Sequence, residues 1–221
     1  MMIAPATYVE MELAGKNREQ AIKEVKSLWK EIRRLKKIIE EEPDSEEMMI
    51  CPMPDVRVSV YRDYIEAARE CFKDKGWEYE PEREEIADKA LNDRLQDIQS
   101  IVIEYGGYFG GTEKRTITFE GEKILVEKKY ILRIPSLEEL QEDPAEEFHD
   151  MEKAEFLEEF ADLHLGEWEK EYEDLNVLDG TQWSVVIKFS LGKSFKSYGS
   201  NRFPYNFSGF LELVRISESD M

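Results

Sequence analysis

The chain has 221 residues, 41% of them hydrophobic and 11% aromatic, which is enough for a real core in one large domain or two small ones. It has 50 acidic and 30 basic residues, and a formal net charge of −20 disfavours binding to nucleic-acid phosphates or to anionic membranes. No apolar run reaches membrane-spanning length, and the first residues lack the pattern of a signal peptide. We therefore expect a cytoplasmic protein that does not insert into a membrane.

The cysteine content points to the same compartment. Cys51 and Cys71 are the two cysteines of the chain, too few for a disulfide framework. We expect a reducing environment, with Cys71 as an inert thiol on the inner face of a helix.

The first predicted element is a helix over residues 17–42. Apolar residues recur at alternating steps of four and three, which is the spacing of a heptad seam. The seam consists of Ala21, Val25, Leu28, Ile32, Leu35 and Ile39, and it is widened by Trp29 and Ile38. Between Ile22 and Ile39 the helix has seven basic residues and two acidic ones. A basic helix is the most unusual local feature of so acidic a chain.

Further helices are predicted over residues 58–75, with Gly76 as C-cap, and over residues 82–95. Pro43 ends the first helix, and a proline-bounded connector separates it from the second. Residues 1–96 are therefore predicted to form a helical hairpin or small bundle.

Strand patterns begin at Ile98. Strands are predicted over residues 98–105, 114–120 and 123–132, and the glycine-rich residues 106–111 lie between the first two. A phosphate loop would need a helix after the glycines, so we interpret this stretch as a wide hairpin connection.

An acidic helical region is predicted next. Ser136 with Glu139, and Asp143 with Glu146, fit capping boxes, and the apolar face is predicted to continue through Trp168 and Tyr172. Residues 138–174 contain 17 acidic and 2 basic side chains. Most of the negative charge of the chain therefore lies in about a sixth of its length.

The chain then returns to strands over residues 183–189 and 194–198. A last helix follows, with Asn206 or Ser208 as its cap, and residues 217–221 are expected to fray. The predicted order over residues 97–216 is β-β-β-α-β-β-α. Strands joined by short turns indicate an α+β fold, with about five antiparallel strands and helices on one face.

Motifs for catalysis or metal binding are weak. Glu146 and His149 have the spacing of one carboxylate-histidine pair, but a di-metal bundle needs a second pair and facing glutamates. His164 ends an apolar helical face and is interpreted as a partly buried, hydrogen-bonded histidine. The residues 192–194 lack the upstream glycine of a phosphate loop. We assign no catalytic residue, no metal and no cofactor.

The predicted contact surfaces are the basic heptad helix and an aromatic patch near the C-terminus. They comprise Leu28, Trp29, Lys30, Ile32, Arg33, Arg34, Leu35, Trp183, Tyr198, Phe203 and Tyr205. The heptad seam would dock a helix of a protein partner or of a second copy, while the charges steer the encounter. Two alternatives are that the basic helix is simply solvated, and that it pairs with residues 138–174 of the same chain.

Several segments resemble those of an uncharacterised family of bacterial proteins of the Firmicutes type. The resemblance covers most of the chain, and it carries no assigned chemistry. The segments are RRLKKIIE, CPMPDVRVSVYRDYIEAA, GGYFGGTEKRTITFEGE, DGTQWSVVIKFS and YGSNRFPYNFSGFLELV.

Residues 101–214 are also similar, in the order of their elements, to emfourin-type protein inhibitors of metallopeptidases. The chain differs from that pattern by an acidic insertion around residues 136–152 and by the N-terminal helical region. The main functional hypothesis is a non-catalytic interaction or regulatory module. The alternatives are a small-ligand or peptide-binding domain with a cleft beside Trp183 or Tyr198, and an enzyme of unrecognised type.

Overall fold

The computed structural model describes residues 2–107, 111–131, 145–177 and 179–216, and it divides into two units, Met1–Pro81 and Glu82–Met221. The division falls before the third long predicted helix, whereas the sequence placed it after residue 96. Leu91 and Leu95 explain the difference, because both side chains are buried in the core of the sheet-containing unit.

The N-terminal unit contains α-helices joined by short helical turns. Its elements are α1 (Pro5–Tyr8), a π-helix (Val9–Leu13), α2 (Arg18–Glu41), a 3-10 helix (Glu46–Met49) and α3 (Pro54–Asp74). The two short elements before Asn17 were not predicted, because one helical turn leaves too few residues for a periodic pattern.

The start of α2 is fixed by a reciprocal capping box. The Asn17 side chain accepts a hydrogen bond from the Gln20 N–H at 3.0 Å, and the Gln20 side chain accepts one from the Asn17 N–H at 3.1 Å. Two backbone donors that a helix would otherwise leave unpaired are thus satisfied. The helix predicted over residues 17–42 is confirmed.

The ends of α3 follow from a proline and a glycine. Pro54 is the first helical residue, where its missing N–H costs nothing. Gly76 has φ +65, and the next N–H, that of Trp77, bonds to the Phe72 carbonyl at 2.8 Å. This Schellman closure brings the Trp77 ring against Phe72 in a tilted arrangement, with ring centroids 5.8 Å apart.

The core of the N-terminal unit lies between α2 and α3. The buried residues of the two helices are Ala21, Val25, Trp29, Ile32, Leu35, Pro54, Val58, Tyr64, Ile65, Ala68 and Phe72. Tyr8 stacks on Tyr64 with centroids 4.4 Å apart, and the Tyr64 hydroxyl bonds to the backbone of Ile3. The heptad pattern of α2 therefore reports a contact made within the chain.

The second unit combines helices with a sheet. Its elements are α4 (Arg83–Asn92), a 3-10 helix (Leu95–Asp97), β1 (Ile98–Gly107), β2 (Gly111–Glu120), β3 (Lys123–Ile131), β4 (Ala145–Glu147), α5 (Lys153–Asp162), a 3-10 helix (Leu165–Glu167), β5 (Glu171–Glu173), β6 (Thr181–Phe189), β7 (Phe195–Ser200) and α6 (Phe207–Leu213).

Among the described residues the sheet has seven strands in the order β4-β3-β2-β1-β6-β7-β5. Neighbours are antiparallel except β5 and β7, which are parallel. The pairing of β1 with β2 reaches Gly107 and Gly111, so these two strands form the predicted hairpin. The strands beyond the predicted five are β4 and β5, each three residues long.

The main strands alternate between a buried and a more exposed face. Ile101 and Ile103 pair with Ile187 and Val185 on the inner face. The core cluster on that face also contains side chains from the helices, namely Phe156, Leu157 and Phe160 of α5 with Phe207, Phe210 and Leu211 of α6. The predicted α+β fold is confirmed.

The acidic helical region is only partly helical. A strand occupies Ala145–Glu147, and His149 lies in a turn. The prediction of a helix that aligns Glu146 with His149 is therefore wrong. The proposed caps at Ser136, Glu139 and Asp143 lie outside the described residues, as do residues 217–221.

The predicted extension of α5 through Trp168 and Tyr172 is also wrong. His164 adopts a left-handed backbone with φ +52, which ends the helical path. Trp168 and Tyr172 are buried as expected. Trp168 follows a 3-10 turn, however, and Tyr172 lies on β5.

Within the described part of the chain, no helix has the length and apolar character that crossing a bilayer requires.

Candidate interaction surface

The predicted contact residues of α2 divide into a buried set and an exposed set. Trp29, Ile32 and Leu35 are at most 2% exposed, and Leu28 is half-buried. For the three buried residues, exposure to a partner was the wrong expectation, because α3 already covers the seam. Lys30 and Arg33 are exposed, and a role of these two residues in binding stays a prediction.

The outer face of α2 has a row of cations that we call the basic stripe. Steps of three and four residues place its members on one side of the helix. The basic stripe is Lys23, Lys26, Lys30, Arg33 and Lys37, all exposed. At 1.5 Å per residue it extends about 21 Å.

Most of the basic stripe is not neutralised by the unit that holds it. Lys23, Lys26 and Lys30 have no ion pair with any residue that the structure describes. Lys37 lies 3.7 Å from Glu41, a surface pair of little energetic weight. The Arg33 guanidinium lies over the Trp29 ring of the same helix, 5.9 Å from the ring centroid.

Arg34 has a structural role that the sequence did not indicate. Its guanidinium donates to Glu31 at 2.7 and 3.0 Å and to Glu47 at 3.0 Å. Arg57 of α3 donates to the same carboxylates, at 3.0 Å to Glu31 and 2.5 Å to Glu47. This four-residue network ties α2, α3 and the turn between them together.

The network holds its carboxylates in the charged form. Hydrogen bonds from Arg34 are the main cause that lowers the pKa of Glu31 below its usual value. For Glu47 the main cause of the lowered pKa is the hydrogen bond from Arg57, followed by the one from Arg34. All four groups are therefore ionised at neutral pH.

Two residues of the network, Glu47 and Arg57, flank an apolar segment that we call the apolar connector, residues 48–56. Met49 is 87% exposed, and Ile50, Met53 and Val56 are between 42% and 50% exposed. Such a run of exposed apolar side chains is typical of a contact surface, and methionine adapts easily to different partners. The sequence predicted a proline-bounded connector here but not an exposed apolar surface. The available signal was the run of apolar residues between Pro43 and Pro52.

The predicted aromatic patch is mainly a packed core. Trp183 is 3% exposed, its indole N–H donates to the Arg202 carbonyl at 2.8 Å, and its ring lies 4.6 Å from that of Phe207. Phe203 and Tyr205 are half-buried. A ligand cleft beside Trp183 was the wrong expectation, because neighbouring rings occupy that space.

Tyr198 is the exposed member of the predicted patch, at 37%. It lies on β7 opposite Glu171 of β5. A hydrogen bond with Glu171 is the main cause that raises the pKa of Tyr198, and a hydrogen bond with Glu171 likewise raises the pKa of Glu173. Tyr198, Glu171 and Glu173 lie on the two strands at one edge of the sheet, and the two glutamates belong to the acidic region 138–174.

The two histidines have different surroundings. His149 is exposed, with Nδ1 3.8 Å from a Glu147 oxygen. His164 Nδ1 lies 2.7 Å from Asp88 Oδ2, and that oxygen also accepts a bond from the Asn92 side chain. Within the described residues the His164 ring has no further hydrogen bond, and the pair joins α4 to the turn after α5.

The residues that the structure describes contain no group of three or more histidine, cysteine, aspartate or glutamate side chains placed to hold a metal ion. Comparison of the chain with family models, with curated proteins and with solved structures found no match. Among the described residues, the basic stripe and the apolar connector together combine exposed charge with exposed apolar side chains on one unit.

Proposed function

We propose that the chain is a non-catalytic interaction module that binds an acidic polypeptide partner through the N-terminal unit. The observation that carries the proposal is the basic stripe. Five exposed cations lie on one side of α2 in a protein of net charge −20, and three of them have no ion pair among the described residues.

The two surface features would contribute different terms to binding. Cations on an exposed helix face steer a negatively charged partner and set its orientation, but each surface pair adds little affinity. The apolar connector would supply the rest, because burying an exposed methionine or isoleucine side chain is worth about 1.5–3 kcal/mol. The partner should therefore combine acidic residues with exposed apolar ones.

A capture experiment with a matched control tests this proposal. The tagged chain is used as bait in a native lysate of its source in three forms: wild type, K23E/K26E/K30E in the basic stripe, and K188E/K193E/K196E. The control lysines are exposed in the second unit, and their reversal changes the net charge equally. Captured complexes are identified and counted by native mass spectrometry.

We expect a polypeptide that the wild type and the control retain in a fixed ratio and that the stripe variant loses by at least about tenfold, a difference of roughly 1.4 kcal/mol. A partner retained equally by all three forms would contradict the proposed surface. Loss from both variants would indicate general repulsion between like charges and would also count against it.

A further inference from the structure

The second unit has an acidic row that matches the basic stripe. Glu155, Glu158, Glu159 and Asp162 are all exposed on α5, at steps of three and four residues. The opposite face of that helix is buried through Phe156, Leu157 and Phe160. We call these four carboxylates the acidic stripe.

The acidic stripe also lacks partners. None of its four carboxylates has an ion pair or a hydrogen bond with a residue that the structure describes. The one cation of α5, Lys153, lies over the Phe119 ring at 5.4 Å. Unpaired like charges on one helix face repel one another, and a facing row of cations relieves this.

The two stripes are opposite in sign, and both follow helical steps of three and four residues. The acidic stripe extends about 10 Å along its helix and the basic stripe about 21 Å, so the first fits within the second. Each row is on a helix that also has a buried face, which fixes the backbone beneath the charges. Pairing the two rows therefore costs side-chain freedom but little backbone freedom.

We propose that the basic stripe of one copy docks on the acidic stripe of a second copy of this chain. The inference rests on the proposed function, because it names the acidic partner of the basic stripe. Two copies that exchange these contacts reciprocally would form a closed dimer with two stripe contacts, in which each stripe is occupied once. The contact is charge-dominated, so it should be weak and sensitive to salt.

The first test measures self-association by sedimentation velocity. At about 0.05 M salt we expect a dimer with a dissociation constant of roughly 10–1000 µM, and at about 0.5 M salt the dimer should dissociate. Reversal of either stripe, by K23E/K26E/K30E or by E155K/E158K/D162K, should weaken self-association by at least about tenfold. K188E/K193E/K196E should leave it unchanged.

The second test mixes the two reversed variants. Each alone has two stripes of the same sign and should stay monomeric. In the mixture the acidic α2 of one variant faces the basic α5 of the other, and the reverse pair also matches, so a heterodimer should form. Circular dichroism of each variant shows that it is folded before the mixture is measured.

The outcomes separate the two proposals. A wild type that stays monomeric at low salt up to about 1 mM would overturn the second-copy inference. A mixture that forms no heterodimer although both variants are folded would do the same. Neither result bears on the proposed function, which the capture experiment tests separately.

Discussion

Gly199 lies where β7 passes closest to the indole of Trp183. A Cβ at that position would lie 2.4 Å from Trp183 Nε1 and 2.7 Å from the Arg202 carbonyl oxygen. Those two atoms are joined by the hydrogen bond that orients the indole. The absence of a side chain at residue 199 therefore leaves room for the Trp183 indole in the aromatic core.

Gly199→Ala should destabilise the second unit by about 1–3 kcal/mol, because the added methyl group must displace the indole or the backbone. Urea unfolding followed by tryptophan fluorescence measures the change. Gly107→Ala is the matched control, since its Cβ would lie 3.6 Å from the Gly180 carbonyl oxygen, an ordinary contact. Equal effects at the two positions would contradict this account.

At the scale of elements, α6 is held by a buried cation. Arg115 of β2 is 4% exposed, and its guanidinium donates to the carbonyls of Val214 and Arg215 at the end of the helix. Glu113 balances its charge from the same strand. Backbone carbonyls at a helix C-terminus lack partners within the helix, so Arg115 satisfies groups that packing alone would leave unpaired.

Arg115→Met should cost about 3 kcal/mol or more, because it leaves Glu113 and two carbonyls without their donor. The neighbouring Lys114→Met is the control. Lys114 forms a partly exposed pair with Glu104 at 2.8 Å, and its loss should cost about 1 kcal/mol or less. Chemical denaturation of the two variants gives the comparison, and a smaller effect at residue 115 than at residue 114 would be incompatible with an anchoring role.

The network of Glu31, Arg34, Glu47 and Arg57 makes the α2–α3 hairpin sensitive to acid. The pKa of each carboxylate is lower in the folded chain than its usual 4.5, so the fold is favoured by deprotonation. That contribution is present above about pH 4.5 and is lost as the pH falls through the lowered values.

E31Q/E47Q should therefore flatten the acid limb of the stability profile. We expect the free energy of unfolding of the wild type to fall more steeply than that of the variant below about pH 4.5, with parallel curves from about pH 6 to 8. Urea titrations at each pH provide both curves. Parallel curves throughout would show that the network does not stabilise the fold.

Much of the element pattern could be read from the sequence, for physical reasons. The sequence predicted α2 from five turns of regular apolar spacing, and it predicted β1 and β6 from alternation. β4 and β5 could not be found, because three residues contain no periodicity and their pairing depends on partners distant in sequence. The residues of the heptad seam were located correctly, but the expected contact with a partner was wrong for its buried residues. The same apolar pattern suits a helix of the same chain and a helix of another chain.

The site was predictable to a lesser extent. The cations of α2 were visible as a composition bias, yet only the structure separates the basic stripe from Arg34, which is committed to the network. Trp183 illustrates the opposite error. Aromatic residues close to turns suggest a surface, but burial depends on which rings the fold brings together, and sequence spacing does not contain that information.

On the scale of the whole molecule, the two units have separate cores. Because their boundary lies before α4, that helix contributes to the stability of the second unit. Leu91 and Leu95 are at most 6% exposed within the core of the second unit. Gly166 also lies against α4, where a Cβ would be 2.4 Å from the Asp88 Cα. α4 therefore completes the second unit.

The fragment Glu82–Met221 is expected to fold by itself and to unfold cooperatively, because it contains its own core. A fragment starting at Ile98 lacks α4 and should be less stable by at least about 3 kcal/mol, from the loss of two buried leucines. Urea unfolding of both fragments checks this. Equal stability would place the boundary after residue 96 instead.

The apolar connector has a chemical consequence beyond its shape, because two of its most exposed side chains, Met49 and Met53, carry thioether sulfur. Peroxide converts such a side chain to the sulfoxide, which is polar and which cellular reductases reverse. If the connector contributes to binding, oxidation should weaken partner capture, enzymatic reduction should restore it, and M49L/M53L should resist both. Binding through this surface would then be lost in an oxidising environment and regained in a reducing one, while the fold of the unit stays the same.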